Sequence, residues 1–209
     1  MTGKYRLYGW RQTGSMAVEA AFAEAGVDYD FVPVSRKTDE NLTKDFRKIN
    51  PRQQLPVLML PDGSFMSEGA AMLLHIGDAF PEARLIPKPG SSARAQHDRW
   101  LAYFAVNVYE GELRKLRPHR YTTEPNGVDG LKAAAGAYVE RHYQIYNDAL
   151  GIGPYLFGDQ FTMIDIYVWM LAQWMEQPWL EKHCPKVKRL ADTAMARPLI
   201  APVQKAHFD

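Results

Sequence analysis

Three prolines spaced five residues apart, Pro51, Pro56 and Pro61, leave the stretch from Asn50 to Gly69 few ways to fold. Each fixes its own φ, lacks a backbone donor and pushes the residue before it toward extended geometry. Asn50-Pro51 therefore stops a preceding helix, and Leu55-Pro56 reads as an extended dipeptide. Two short apolar runs follow, Val57 to Leu60 and Phe65-Met66, on either side of Pro61-Asp62-Gly63. That is the composition of an antiparallel hairpin. A lone acid, Glu68, then stands where a helix begins. The N–H and C=O of Leu55 are left to pair with an extended ligand, and Glu68 puts a negative charge beside the open amides of a helix start. The combination suits a small peptide-like ligand that carries both an ammonium group and carboxylates.

The segments around this run can be ordered by their periodicity. Tyr5 to Tyr8 forms a short strand. From Ser15 an alanine-rich helix places Val18, Ala21, Phe22 and Ala25 at helical spacing and stops at Gly26. Asp28 to Val34 alternates like a strand, with Pro33 suited to a sheet edge. A second helix spans about Asn41 to Ile49, and a third spans 70–79, ending before Pro81. The order strand–helix–strand–helix–strand–strand–helix is the thioredoxin-like arrangement, with strands one and two parallel through a right-handed crossover. Residues 81–92, rich in Pro, Gly and Ser, read as a linker. Beyond them every strong signal is helical: one long helix over 93–116 with Leu101, Phe104 and Val108 on one stripe, another over 131–150, and a buried core helix over 164–175. Thr162 and Asp165 have the spacing of a capping box. The expected fold is α/β plus all-α, a thioredoxin-like domain over 1–80 and an α-helical bundle domain over 93–209.

Bulk properties exclude several classes. A net charge of +1 gives no reason to expect nucleic acid or an anionic membrane as partner. The longest apolar stretch, Ile164 to Met175, is too short to span a bilayer and contains Asp165 and Gln173. No N-terminal segment has the pattern of an export signal. The single cysteine, Cys184, rules out an internal disulfide framework and agrees with a cytoplasmic location. The histidines are scattered without ligand spacing, so no metal is expected, and no phosphate-cradling glycine loop is present.

The run from Asn50 to Gly69 resembles the glutathione-binding half of the soluble, bacterial-type glutathione S-transferases. Their pattern is Asn-Pro, an aliphatic residue, a cis-Pro, Val-Leu, a glycine turn and Glu-Ser at a helix start. Gly158-Asp-Gln-Phe-Thr-Met-Ile-Asp-Ile is similar to the Gly-x-x-Phe-Thr-x-Ala-Asp-Ile signature of their helical domain, and Ala196-Arg197-Pro198 to their C-terminal stretch. Together these cover nearly the whole chain. The resemblance implies glutathione as co-substrate, a homodimer and no metal. It implies that Leu55, before cis-Pro56, pairs through its backbone with the cysteinyl unit, and that Gln54 contacts the glycyl end. Glu68 would take the γ-glutamyl ammonium and the Gly69 N–H the γ-glutamyl carboxylate; the family usually has serine at this last position. Asp98 matches an acid that some members reach across the dimer interface, although pairing with Arg94 on its own helix explains it as well. Tyr103, Asn107, Trp169 and Trp174 are candidates for an electrophile pocket, a spacing that core packing also accounts for.

The chemistry implied is activation of a thiol. A cysteine thiol has a pKa near ~8.5, and lowering it by roughly two units needs about 2.7 kcal/mol of preferential thiolate stabilisation. One hydroxyl donor together with helix-start amides supplies that order of magnitude. The hydroxyl must lie where strand one hands over to helix one, in Tyr8-Gly9-Trp10-Arg11-Gln12-Thr13-Gly14-Ser15. Ser15 and Thr13 are the first candidates and Tyr8 the third; Ser15 equally suits an N-cap. No cysteine falls in this junction, so mixed-disulfide chemistry is not expected. The expected activity is a transferase that sets a glutathione thiolate on a small hydrophobic electrophile. The alternatives are a non-catalytic glutathione-binding protein and a glutathione-dependent isomerase or dehalogenase; for the isomerase, the Ser-Ser-Cys run that would precede helix one is missing.

Overall fold

The computed structural model describes residues 3–209, which fall into two compact units. One comprises the chain up to Ile86 together with Met195–Asp209, and the other is Pro87–Ala194. The linker and domain limits drawn from the sequence carry residues 195–209 into the helical domain, whereas here that segment groups with the first unit.

In the first unit, β1 (Tyr5–Gly9) pairs in parallel with β2 (Tyr29–Pro33) and antiparallel with β3 (Val57–Met59), which pairs antiparallel with β4 (Phe65–Met66). The strand order β2-β1-β3-β4 puts Pro33 on an edge strand, where its missing donor costs no ladder bond. Helices α1 (Ser15–Ala25) and α3 (Gly69–Ala79) pack together. Leu7, Met16, Val18, Phe22, Met72, Leu73 and Ile76 are wholly buried. Gly26 ends α1 with φ 67°, returning its N–H to the last turn. The helix expected over 41–49 is a 3₁₀ turn at Glu40–Leu42 followed by α2 (Lys44–Ile49). The break falls at Thr43, whose hydroxyl accepts from the Phe46 N–H at 3.2 Å. Phe46 packs with Val34 and Val57, joined by Tyr8, Ile49 and Leu55, in a small core beneath the proline-rich loop.

In the second unit, α4 (Ser92–Tyr103) and α5 (Glu110–Leu116) are joined by π-helical turns at Phe104–Tyr109 rather than by plain α-helix. Asn107 accounts for the widening: its Nδ2 donates to the Tyr103 carbonyl at 3.0 Å and its Oδ1 accepts from the Tyr138 hydroxyl at 2.6 Å. Tyr138 belongs to α6 (Val128–Ala149), whose close approach to α5 is permitted by Gly111, where a Cβ would lie 2.5 Å from Val139. Every residue of α7 (Met163–Ala172) is buried. Its start is closed by the anticipated capping box, Asp165 accepting from the Thr162 N–H and hydroxyl, both at 2.8 Å. Helices α8 (Gln177–His183), α9 (Pro185–Met195) and α10 (Ala201–Phe208) follow. Helix α10 belongs to the first unit and packs on α1.

Glu112 of the helical unit carries a pH signature. Glu112 is fully buried, neither of its oxygens has a hydrogen-bond partner, and the Lys115 ammonium stands 3.8 Å away. Desolvation raises its pKa from 4.5 to about 7, against a smaller pull from Lys115. The folded chain thus holds a proton that the unfolded chain has released. The stability this contributes is complete below the unfolded pKa and is lost as pH rises through about 7. Denaturant titrations should show stability declining over that window by ~3 kcal/mol more in the unaltered chain than in Glu112→Gln. Equal slopes in the two proteins would refute this origin.

Candidate functional site

The loop between α2 and β3 has no ladder of its own, so its polar groups are met by side chains. Asn50 is buried; its Nδ2 donates to the Gln54 carbonyl at 2.8 Å and its Oδ1 accepts from the Arg52 N–H at 3.0 Å. Asn41, also buried, donates to the Gln53 carbonyl at 2.8 Å and accepts from the Gln53 side chain at 3.3 Å. Gln53 itself sits at φ 54°, a conformation uncommon for a side chain of this kind. With both neighbours fixed, the chain passes through a cis Leu55-Pro56 peptide into β3, where Val57 pairs with Tyr8. The Leu55 N–H and C=O have no hydrogen-bond partner among the described residues.

Glu68 lies at the N-cap position of α3 with φ 68° and ψ 99°. Such a backbone costs a non-glycine residue about 1–3 kcal/mol and persists only where its surroundings impose it. Its side chain does not cap the helix; the amides of Gly69, Ala70 and Ala71 are those an α-helix leaves open at its start. The carboxylate instead accepts from Arg52 Nη1 at 2.6 Å and from the Ser67 hydroxyl at 3.1 Å. Arg52 and Glu68 are 49% and 58% exposed, so solvent screens the pair and a ligand can displace it at little cost.

At the junction of β1 and α1 the hydroxyls are drawn inward. Ser15 is 0% exposed; it is the first helical residue and not the N-cap, a position held by Gly14 without a side-chain cap. Its Oγ donates to the Trp10 carbonyl at 3.1 Å and lies 3.2 Å from Thr13 Oγ1, which donates to the same carbonyl at 2.7 Å. Thr13 is 6% exposed. Gly9 admits Ser15 at this depth, since a Cβ there would meet the Ser15 side chain at 2.6 Å. Tyr8 is half-buried, its ring edge-on to Phe65 at 6.0 Å.

The remaining sequence candidates lie in the helical unit. Asp98 makes the pairing on its own helix, accepting from Arg94 Nε at 2.8 Å and lying 2.9 Å from His97 Nδ1. Tyr103 packs against Trp100, Phe104 and His142, and Asn107 is committed to the π-helical turns. Trp169 is wholly enclosed in the α7 core rather than open to a cleft, whereas Trp174 stands edge-on to Tyr109 at 5.2 Å. Cys184 is buried, its thiol pushed up to about 12 by desolvation, which leaves it unreactive. Sequence reasoning missed Arg52 as the partner of Glu68 and the two asparagines as the side chains that hold the loop.

Comparison with known families bears directly on this loop. Residues 3–78 match the model of the glutathione S-transferase N-terminal domain, and residues 129–197 that of the C-terminal domain. The chain belongs to the glutathione S-transferase family. It is 29% identical over 162 residues to the glutathione S-transferase GstA of Escherichia coli O157:H7, covering 77% of each chain. It is also 29% identical to the uncharacterised GST-like protein YncG of Escherichia coli K12 over 202 residues, 96% of this chain and 97% of that one. A maleylpyruvate isomerase from a Ralstonia species is 23% identical over 163 residues, 76% of each chain. Among solved structures, a glutathione transferase homologue from Sulfitobacter with bound glutathione superposes with a TM-score of 0.89 at 25% identity, covering 97% and 98% of the chains. The described residues contain no cluster of metal-ligating side chains and no helix long and apolar enough to cross a membrane.

The loop's scaffold makes a stability prediction. Asn50→Ala strands a carbonyl and an amide and should lower unfolding free energy by about 1–3 kcal/mol. Asp45→Ala, which removes an exposed pair with Lys48 and an acid from the first turn of α2, should change it by less than about 1 kcal/mol. Urea denaturation of the two variants measures the difference, and equal losses would contradict the account.

Proposed function

We propose that this protein is a glutathione transferase that binds the tripeptide along the loop before β3 and uses its thiolate to attack a small hydrophobic electrophile. The observation that carries the reading is the unpaired backbone of Leu55 beside cis-Pro56, facing the same end of the sheet as the open amides of α3. Extended backbone pairing at Leu55 fixes the cysteinyl unit, Gln54 meets the glycyl end, and the first amides of α3, from Gly69 onward, receive the γ-glutamyl carboxylate. Glu68 exchanges its Arg52 partner for the ligand's ammonium. The glutathione bound in the Sulfitobacter homologue supports this assignment. In this reading the protein acts in the cytoplasm as a homodimer, and Tyr103, Asn107 and Trp174 are the pocket candidates that remain, with Asp98 held by its own helix.

Two hydroxyl protons and one carbonyl meet at the junction. If Ser15 satisfies the Trp10 carbonyl, the Thr13 proton can turn outward to a thiolate while its oxygen still accepts from the Ser15 N–H at 3.4 Å. Thr13 is then the donor and Ser15 the group that releases it. Tyr8, with its ring packed on Phe65, is third. A second reading has one observation in its favour: both hydroxyls donate to the Trp10 carbonyl, an arrangement that suits a protein binding glutathione without activating it. The isomerase relative keeps a glutathione-dependent isomerase among the enzyme alternatives.

An ultraviolet thiolate titration of the glutathione complex separates these readings. The bound thiol should titrate about one to two units below free glutathione, and Thr13→Val should abolish most of that shift, as loss of a hydrogen bond to a charged group does. A thiol titrating at its solution pKa would sink the transferase account. Gly69→Ser, which restores a hydroxyl at the helix start, should tighten glutathione binding by about two- to tenfold in calorimetry. An unchanged affinity would place the γ-glutamyl carboxylate elsewhere.

A further inference from the structure

The loop that carries Thr13 and Ser15 is anchored by a residue nearly two hundred positions away. Gln12, directly before Thr13, adopts φ 53°, a left-handed conformation that a glutamine takes up only when held there. Its N–H donates to Nδ1 of His207 at 3.0 Å, and its side-chain amide reaches the His207 carbonyl at 3.4 Å. On the far side of the ring, Nε2 of His207 lies 3.0 Å from Glu19 Oε1, a carboxylate of α1. His207 is 3% exposed.

We infer that His207 is a positioning residue, its imidazole clamped between the Glu19 carboxylate and the Gln12 amide so that the β1–α1 loop presents Thr13 to the bound thiol. The inference rests on the reading of that loop as the thiol-activating segment. A backbone amide can only donate, so Nδ1 must accept; a carboxylate can only accept, so the ring proton belongs on Nε2. The two contacts therefore select one neutral tautomer and fix the ring's orientation. No apolar side chain at this position could supply the acceptor, and the Gln12 N–H would lose its partner. The clamp is separable from the docking of the segment that delivers it. That segment is pinned independently by Arg197, whose Nε and Nη2 donate to the two oxygens of Glu24 at 2.8 and 2.7 Å.

Four proteins test this: the full chain, His207→Phe, His207→Asn and Arg197→Ala. His207→Phe keeps a ring and removes the acceptor; His207→Asn keeps an acceptor where Nδ1 stood; Arg197→Ala loosens the docked segment without altering the imidazole. Amide exchange at Gln12 should be about three- to tenfold faster in His207→Phe, with protection substantially recovered in His207→Asn. Glutathione affinity should change less than about twofold in His207→Phe while its bound-thiol pKa rises toward the solution value, a split that Arg197→Ala does not reproduce. Wild-type exchange at Gln12 in His207→Phe, or an asparagine variant no better than the phenylalanine one, would overturn the assignment. So would nitrogen NMR placing the ring proton on Nδ1. A wild-type thiol that titrates as in solution would count against the transferase reading alone, and Gln12 exchange would still decide the role of His207.

Discussion

A loop that must leave one residue's backbone unpaired needs every neighbouring polar group paired by something else. Asn41 and Asn50 do this for Gln53 and Gln54 from buried positions on the elements that precede the loop. Their side-chain amides act as surrogate peptide groups, which is why the segment keeps its shape without belonging to the sheet. Pro56 then hands the chain into β3 with no N–H of its own to satisfy. The N–H and C=O of Leu55, without a partner among the described residues, form a short piece of sheet edge, long enough for one peptide unit and too short to recruit another strand.

Around that edge the electrostatics are graded by exposure. The Glu68–Arg52 pair is half in solvent and easily exchanged, while the α3 start offers fixed donors that need no rearrangement. The positive φ of Glu68 is the backbone's contribution, since it turns the carboxylate away from the helix it would otherwise cap. A charge that satisfied its own helix would be unavailable to a ligand. At the β1–α1 junction the opposite holds: hydroxyls are buried and committed to Trp10, and reach outward only through a change of partner.

Much of this was legible in the sequence because prolines and glycines act locally. The hairpin, the Gly26 stop, the Thr162–Asp165 box and the parallel first crossover all follow from residues within a few positions of one another. The illegible parts are those settled by distant partners. Ser15 reads as an N-cap until Gly9 is seen to let it sink beneath the strand. The helix over 93–116 reads as regular until Tyr138 draws on Asn107. Trp169 reads equally as pocket wall and as core, because helical spacing does not say which face meets a cleft and which meets the core. His207 carries no pattern at all, since its partners are Gln12 and Glu19.

That the segment Met195–Asp209 packs into the first unit makes that unit discontinuous along the chain. On the ribosome, helix α1 emerges early with the Glu19 and Glu24 carboxylates uncovered, and the partners for them are translated only after all of the helical unit. The first unit can collapse as a sheet with its crossover helices, but the loop before Thr13 reaches its final shape only when the late segment returns. The first unit thus waits on a long-range closure, a built-in order of events in which the helical unit is fully translated before the first can take its final shape.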